Sequence, residues 1–541
     1  MVGVPLYLRS SRRKRDLPGH LHGINGRKFF RAAAKNFLLL QLLFLALFSY
    51  IFGALYQQSD KMHNITIAFV DYDGGAIGAA VREAYSSLQS PSFPTLIEHA
   101  AATYPTPSDL QSAVCRTDYW AALYIFPNAS LNLHLALLSQ NPSFNRSAII
   151  AFIWNEARYS TIIDQAIPLP LSQLSNAARI AYSAVPNGTG AISSLPTLTP
   201  STASLLANPW ELVSLNLRPT SQGSRAIYNT VAIILIMMQE FFYLGVVNGL
   251  HQSFRVHTHL RPSRIILYRN LNSLSYCFVG SLCVTGAIWA FRAGWDVNGS
   301  QFALTWMTLW LFAHINFQAL DVFSVWLHPA YVPMALVTWV ILNVTSGILP
   351  FELSAAWYRV GYAMPAHEAY QVLIDIWSRG CNPNLRYALP VLFAWEVGAS
   401  GLAMMGVYRR SHVAALAEAV AQKQFEERVD AAMEFQRKRE REIREQNEEE
   451  REAREKEGQQ ARSSGSSEER SGKRGSDDND VGGGVPSTGQ FPDEERVRRE
   501  LTEVMEREDD IVMRDQRNGD RGGSTFGPAF SLPFGGDEQD V

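Results

Sequence analysis

The chain has 541 residues, 47% of them hydrophobic and 18% charged, with a formal net charge of -3. Those averages describe neither part of it: residues 36–408 hold most of the apolar side chains, while Glu, Arg, Lys, Gln and Gly dominate from Ser411 onward. Segregated charges with a near-neutral sum point to no partner, so no nucleic acid is expected, and four cysteines without CxxC or Cys/His spacing exclude a zinc or dithiol centre; no cofactor is expected.

Residues 1–35 form a basic N-terminus with Arg12, Arg13, Lys14, Arg15, Arg27, Lys28, Arg31 and Lys35. Residues 36–56 follow as a first transmembrane helix. The stretch FLLLQLLFLALFSYIFGALY carries no charge, and at ~1.5 Å per residue it spans the ~30 Å hydrocarbon core. It is too long, and too far from the N-terminus, for a secretory signal. Lys and Arg gather on cytoplasmic flanks, which sets the N-terminus inside and residues 57–225 outside.

The outer segment reads as a compact α/β domain. The runs ITIAFVDYDGG, AIGAAVREAYSSL and TLIEHAA switch from β-branched to helical period and back, as a βαβ unit does. Residues 108–115 read as a helix, 118–126 and 148–154 as strands, and 155–167 and 171–184 as helices. A Ser/Thr/Pro-rich loop, 187–209, returns the chain to the membrane. Asp71, Asp73, Gly74 and Gly75 close the first strand; turn chemistry, with Asp73 capping the next helix, outweighs a ligand site there.

Residues 226–408 read as a five-helix transmembrane domain, with spans near 226–250, 270–291, 302–327, 330–350 and 387–408 and an outer hairpin loop at 350–386. The expected fold is thus an α-helical polytopic membrane protein of about six transmembrane helices with an extracytoplasmic α/β domain. Arg255, Arg261, Arg264, Arg269, Arg409 and Arg410 fall on the cytoplasmic side, as does the C-terminus. Sequons at Asn64, Asn128, Asn145, Asn187 and Asn298 all fall outside, making a glycoprotein of the chain. Cys115 and Cys381 are the outer cysteines; either they pair as a disulfide or they stay as two free buried thiols. Cys277 and Cys283 lie in a span as packing residues.

An ionisable group in a spanning helix costs ~2.5–3.5 kcal/mol or more, so it faces protein or water. Glu240, His314, Asp321 and Glu396 are the candidates for a polar path. His314 and Asp321 are seven residues apart on one helix face with Gln318 between; interhelical hydrogen bonding is the competing role. There is no GxxxxGK[ST], since SGKRG near Lys473 lacks its glycine and hydroxyl. There is no GxSxG, and His367-Glu368 is not followed by a second His in zincin register. No enzyme is expected.

Residues 409–457 form a cytoplasmic charged helix, with Leu416, Val420, Phe425, Val429 and Met433 at near-heptad spacing. A solvated helix with i,i+4 ion pairs or a short coiled coil would fit. Residues 458–541 read as a disordered tail, interrupted by a helix at 493–508.

The loop SGILPFELSAAWYRVGYAMPAHEAYQVLIDIWSRG resembles that of type-two ABC-exporter permeases, and the order of one span, outer domain and five spans matches theirs. LLLQLLFLALFSYIFGALYQQ, VDYDGGAIG, CRTDYWAALY and AMPAHEAYQV resemble the fungal nitrosoguanidine-resistance membrane protein family over about residues 30–412. The resemblance implies a plasma-membrane protein linked to drug tolerance and lipid distribution, with no catalytic residues to carry over. The reading is a permease-like protein that exports or redistributes amphipathic compounds or lipids, of unknown substrate. The alternative is a non-transporting scaffold or regulator acting through its tail. The lipid bilayer is the expected partner, and a homodimer or membrane partner fits either reading.

Overall fold

The computed structural model describes residues 26–139, 143–184, 199–220, 223–292, 295–463 and 497–503. Two compact units share the chain, one built from residues up to Asn248 and Ile266–Val407, the other from Gly249–Ile265 and the chain from Tyr408. The basic residues Arg12 to Arg15, Asn187, and the expected disordered tail of 458–541 lie outside the described residues, except 458–463, which are helical instead, and the helical 497–503.

Helix α1 (Gly26–Leu55) contains the expected first span. Its Phe37, Leu38, Leu42, Leu45, Phe48 and Phe52 are exposed, a surface that hydrocarbon accepts and water does not. Strands β1 (Thr66–Asp71), β2 (Thr95–His99), β3 (Ala121–Ile125), β4 (Ile150–Trp154) and β5 (Leu212–Asn216) then form one sheet in the order β2-β1-β3-β4-β5. β1 pairs parallel with β2 and β3, β3 antiparallel with β4, and β4 parallel with β5.

Helix α3 (Pro107–Cys115) covers one face through Leu110 and Val114, against Ala68, Val70, Ala122, Tyr124, Ala151 and Ile153. Helices α2 (Ala76–Leu88) and α6 (Pro168–Ala184) join the other face, where Ile67, Phe69, Leu123, Ile125 and Phe152 lie. Burial on both faces makes these strands almost continuous apolar runs, and each buried Ile or Leu contributes ~1.5–3 kcal/mol. α3 starts on a capping box between Thr106 and Asp109, with Pro107 in its first turn. Helices α4 (Ala129–Ser139), α5 (Ser160–Ala166) and α7 (Pro200–Ala207) complete the layer, so part of the expected return loop is helix α7 followed by strand β5.

Asp73 does not cap α2. Gly75 holds the N-cap position without a side-chain bond, and the Ile77 N–H donates to Ser130 Oγ at 3.1 Å. Asp73 instead accepts from the Ser130 hydroxyl and N–H, which fixes that serine at the helix start. The turn itself is held by Asp71 Oδ1, which accepts from the N–H groups of Asp73 (3.1 Å) and Gly74 (2.9 Å), with Gly74 at φ +62°.

Beyond the sheet come α8 (Val231–Ser253), the short α9 (Val256–His259), α10 (Pro262–Ala290), α11 (Gly299–Trp326), α12 (Val332–Ile348), α13 (Pro365–Trp377) and α14 (Leu385–Ser463). Among the described residues five helices are long and apolar enough to cross a membrane: α1, α8, α10, α12 with the turn before it, and α14. The sequence gives about six, and the difference is α11. It has the length, at 28 residues, but every residue from Phe312 to Asp321 is buried. Nearly three turns buried on all sides mean that protein surrounds it, so it carries His314, Asn316, Gln318 and Asp321 where a lipid-facing helix would be apolar.

Between α12 and α13 the chain forms two 3-10 turns, Phe351–Leu353 and Ala356–Ala363. Tyr358 donates its hydroxyl to the Tyr50 carbonyl (2.7 Å) and Ser354 to that of Ala54 (3.1 Å), docking this hairpin on the end of α1. Asn343 Oδ1 accepts from the Ala366 N–H at 3.1 Å, satisfying a free donor at the start of α13. Cys115 and Cys381, 266 residues apart in sequence, form a disulfide with a Cα–Cα distance of 4.3 Å; it joins the end of α3 to the segment after α13.

In the second unit, Val429 and Met433 of α14 pack against Val497, flanked by Phe425 and Leu501 of a helical segment at 497–503. Most of the near-heptad stripe thus meets a later part of the same chain. The charged remainder is solvated, with i,i+4 pairs such as Lys423–Glu427 (3.9 Å) and Glu452–Lys456 (3.6 Å).

Candidate functional site

Helix α10 presents a polar residue at every fourth position: Arg269, Ser273, Cys277, Ser281 and Thr285, all buried. That spacing keeps them on one slowly turning stripe, from which Arg269 and Cys277 reach α8 and Arg269 and Ser273 reach α11. Asp321, fully buried, accepts from Arg269 through both oxygens, at 2.6 and 3.0 Å, and Arg269 Nη2 also donates to Asn248 Oδ1 at 3.0 Å. A forked guanidinium–carboxylate pair is the form in which two charges are tolerated away from water.

Three residues from Asp321, Gln318 donates through Nε2 to Asn270 Oδ1 (3.3 Å) and to His314 Nε2 (3.1 Å). His314 therefore carries its proton on Nδ1, which meets Glu396 Oε1 at 2.6 Å. Ser400 donates to the same oxygen at 3.2 Å, and Glu396 Oε2 has no hydrogen-bond partner among the described residues. The result is a polar chain across the bundle, from Asn248 through Arg269 and Asp321, then from Asn270 through Gln318 and His314 to Glu396.

A cavity of about 480 Å³ opens beside its far end. His314 and Glu396 line it with Asp375 and Thr308, and the rest is apolar, including Leu304, Leu311 and Phe393. An apolar groove with a hydrogen-bonded imidazole and carboxylate at one point suits an amphipathic molecule, and the pair can exchange a proton between Nδ1 and Oε1.

Of the four predicted path residues, His314 and Glu396 are in direct contact, and Asp321 joins them only through α10. Glu240 stands apart: it is 1% exposed, and its Oε2 accepts from the Cys277 thiol at 3.2 Å. Reading from sequence missed Arg269 by assigning it to a cytoplasmic turn, whereas it lies inside α10 and is buried. The fourfold spacing from 269 to 285 was the available signal.

Among the sequons, Asn128 is exposed at φ +58°, with no side-chain hydrogen bond among the described residues. Asn145 and Asn298 are exposed and use Oδ1 for local turns. Asn64 spends its amide nitrogen on the Glu352 carbonyl at 2.9 Å, so a glycan there would displace that bond.

Residues 36–400 match a family described as protein of unknown function (DUF3533). An uncharacterized endoplasmic reticulum membrane protein of Saccharomyces cerevisiae is 23% identical over 397 residues, covering 64% of this chain and 74% of that one.

Proposed function

Proceeding from the chain's membership of the family of proteins of unknown function DUF3533, we propose that it is a permease-like, non-enzymatic membrane protein that exports or redistributes amphipathic compounds or lipids. Resistance to chemical stress of the nitrosoguanidine type would follow from that activity. The observation that carries this reading is the apolar cavity of about 480 Å³ closed at one point by the His314–Glu396 pair. The pair supplies a protonation switch beside a path for a greasy molecule; no chemistry on the substrate is needed.

The α/β domain is read as extracytoplasmic and both termini as cytoplasmic. The disulfide between Cys115 and Cys381 and the exposed Asn128 support that side, because disulfides persist outside the cytosol. The yeast relative is an endoplasmic reticulum protein by name, and residence there or at the plasma membrane suits the same chemistry. A scaffold role draws support from α14, whose charged, exposed stretch beyond Tyr408 offers a surface to partners.

Purified protein in liposomes, assayed for dye-drug and labelled-lipid movement with and without a proton gradient, separates the two. Transport predicts movement above that of protein-free vesicles, lost in Glu396→Gln. Movement equal to protein-free vesicles would overturn it and leave the scaffold.

A further inference from the structure

A second cavity, of about 530 Å³, lies where the α/β domain meets the hairpin after α12. Arg158, Glu352, Glu368 and His367 line it together with Tyr387 and Val391 from the first turns of α14. Chain continuity sets its level. Asn64 of the lining follows α1, Glu352 follows α12, and Tyr387 begins α14, so the ends of three candidate spans converge on it. Tyr50, Trp357, Tyr358 and Tyr362 cluster nearby, as aromatic residues do where bilayer meets water.

Asp118 of the lining is paired with Arg116 at 3.1 Å, while the other charges are unspent. Arg158 lies over Trp120, 3.8 Å from the ring centre, and among the described residues its side chain's only hydrogen bond is a long one, 3.5 Å, to the Tyr119 carbonyl. Among the described residues no carboxylate reaches it within ion-pair distance, although Glu352 is near enough to favour its charged form. Glu368 is 4% exposed and lines the cavity, and among the described residues neither its carboxylate nor that of Glu352 has a side-chain partner. His367 is held by Nδ1 to the Ser346 carbonyl at 2.9 Å, which turns an uncharged acceptor, Nε2, the other way. A recessed cation and a recessed carboxylate left without partners each cost free energy that a bound counter-charge returns. Burial pushes the Glu368 carboxyl up to about 7 and the Arg158 guanidinium down to about 10, in keeping with that cost.

We propose that this cavity binds a phosphoethanolamine zwitterion, the headgroup of a phospholipid whose acyl chains leave along Tyr387 and Val391. Arg158 takes the phosphate as a fork, and Glu352 and Glu368 take the three N–H donors of the ammonium. A quaternary choline has no N–H for those carboxylates, and the Trp120 face it would stack on is occupied by Arg158. A purely anionic headgroup would meet two carboxylates, and a free metal ion would meet the guanidinium. Tyr387, 60% exposed at the start of a candidate span, opens the cavity toward lipid. This binding does not depend on transport through the His314–Glu396 groove.

The test uses the full chain in nanodiscs of mixed phosphatidylethanolamine, phosphatidylcholine and phosphatidylglycerol, with retained lipid read by native mass spectrometry. Phosphatidylethanolamine should be retained selectively, and Glu352→Gln, which breaks no bond within the protein, should lower that retention about tenfold, as loss of one charged hydrogen bond does. Arg158→Gln should abolish it; should that variant fold poorly, Glu352→Gln and Glu368→Gln still decide. Soluble glycerophosphoethanolamine binding in place of the lipid would keep the zwitterion and assign it to a free ligand. Equal retention of the three lipids, or a preference for phosphatidylglycerol, overturns the site. Lipid movement in liposomes is a separate measurement, so either proposal can fail alone.

Discussion

Asp321 and Arg269 are the residues on which the transmembrane bundle depends most directly, because each is buried and each neutralises the other. Replacing Asp321 with alanine leaves a guanidinium with no counter-charge, which costs about 3–5 kcal/mol. Thermal unfolding followed by size exclusion in detergent should show a collapse for Asp321→Ala and recovery in the double variant Arg269→Met/Asp321→Leu. An unchanged Asp321→Ala variant would mean that the guanidinium finds another acceptor. His367 and Glu368, adjacent on α13, give a pH test of opposite signs. Burial holds the imidazole down to about 4, from 6.5, so the unfolded chain gains a proton first and stability is lost as pH falls from 6.5 to about 4. Burial pushes the Glu368 carboxyl from 4.5 up to about 7, so stability is full at low pH and is lost as pH rises from 4.5 to about 7. Each is worth about 3 kcal/mol and the two nearly cancel in the native protein. Relative to it, Glu368→Gln should lose stability on acidification from pH 7 to 4, and His367→Gln should gain; two variants that track the native profile would show both groups to be solvated.

At the scale of elements, what could be read from sequence follows from how strongly each element repeats its pattern. β1 and α2 announce themselves because the strand is apolar between its ends, IAFV, and buried on both faces, and the helix keeps a helical period beside it. β5 does not: its five residues, LVSLN, carry Ser214 and Asn216, and they follow a Ser/Thr/Pro stretch whose composition speaks for a loop. Their role appears only in three dimensions, where Trp154 donates to Ser214 at 2.9 Å and Asn216 to Glu156 at 2.6 Å across the pair. The polar stripe of α10 was hidden for the opposite reason. Ser, Cys and Thr barely lower an apolar average, and Arg269, following Arg255, Arg261 and Arg264, reads as part of a cytoplasmic turn. The joint of α3 with the segment after α13 is covalent, so Cys115→Ser should release both ends. A disulfide typically contributes ~2–4 kcal/mol. Limited proteolysis should then cut near residue 381 much faster than in the native protein, while an unchanged digest would show that packing alone secures the joint.

For the whole molecule the open quantity is how many times the chain crosses the bilayer, and α11 decides it. By composition only α8, α10 and α12 count as crossings between the α/β domain and the hairpin, an odd number that would set Cys115 and Cys381 on opposite sides. A disulfide cannot join thiols across a bilayer, and neither can the Asn64–Glu352 bond or the docking of Tyr358 on Tyr50. A fourth crossing removes the contradiction, and α11 has the form for it. At its start Gln301 donates to the Ile376 carbonyl at 2.8 Å, level with the hairpin; near its end Asp321 meets Arg269 and, through it, Asn248 at the far end of α8. At ~1.5 Å per residue its 28 residues cover more than the ~30 Å hydrocarbon core. Epitope tags after Tyr56 and beside Asn298 are therefore expected in one compartment, and tags after His328 and Arg410 in the other. If the Arg410 tag shares the compartment of the Tyr56 tag, α11 does not cross, and a non-reducing digest must then find the Cys115 and Cys381 peptides unlinked. The two measurements stand or fall together, because one covalent bond fixes the parity of everything between its ends.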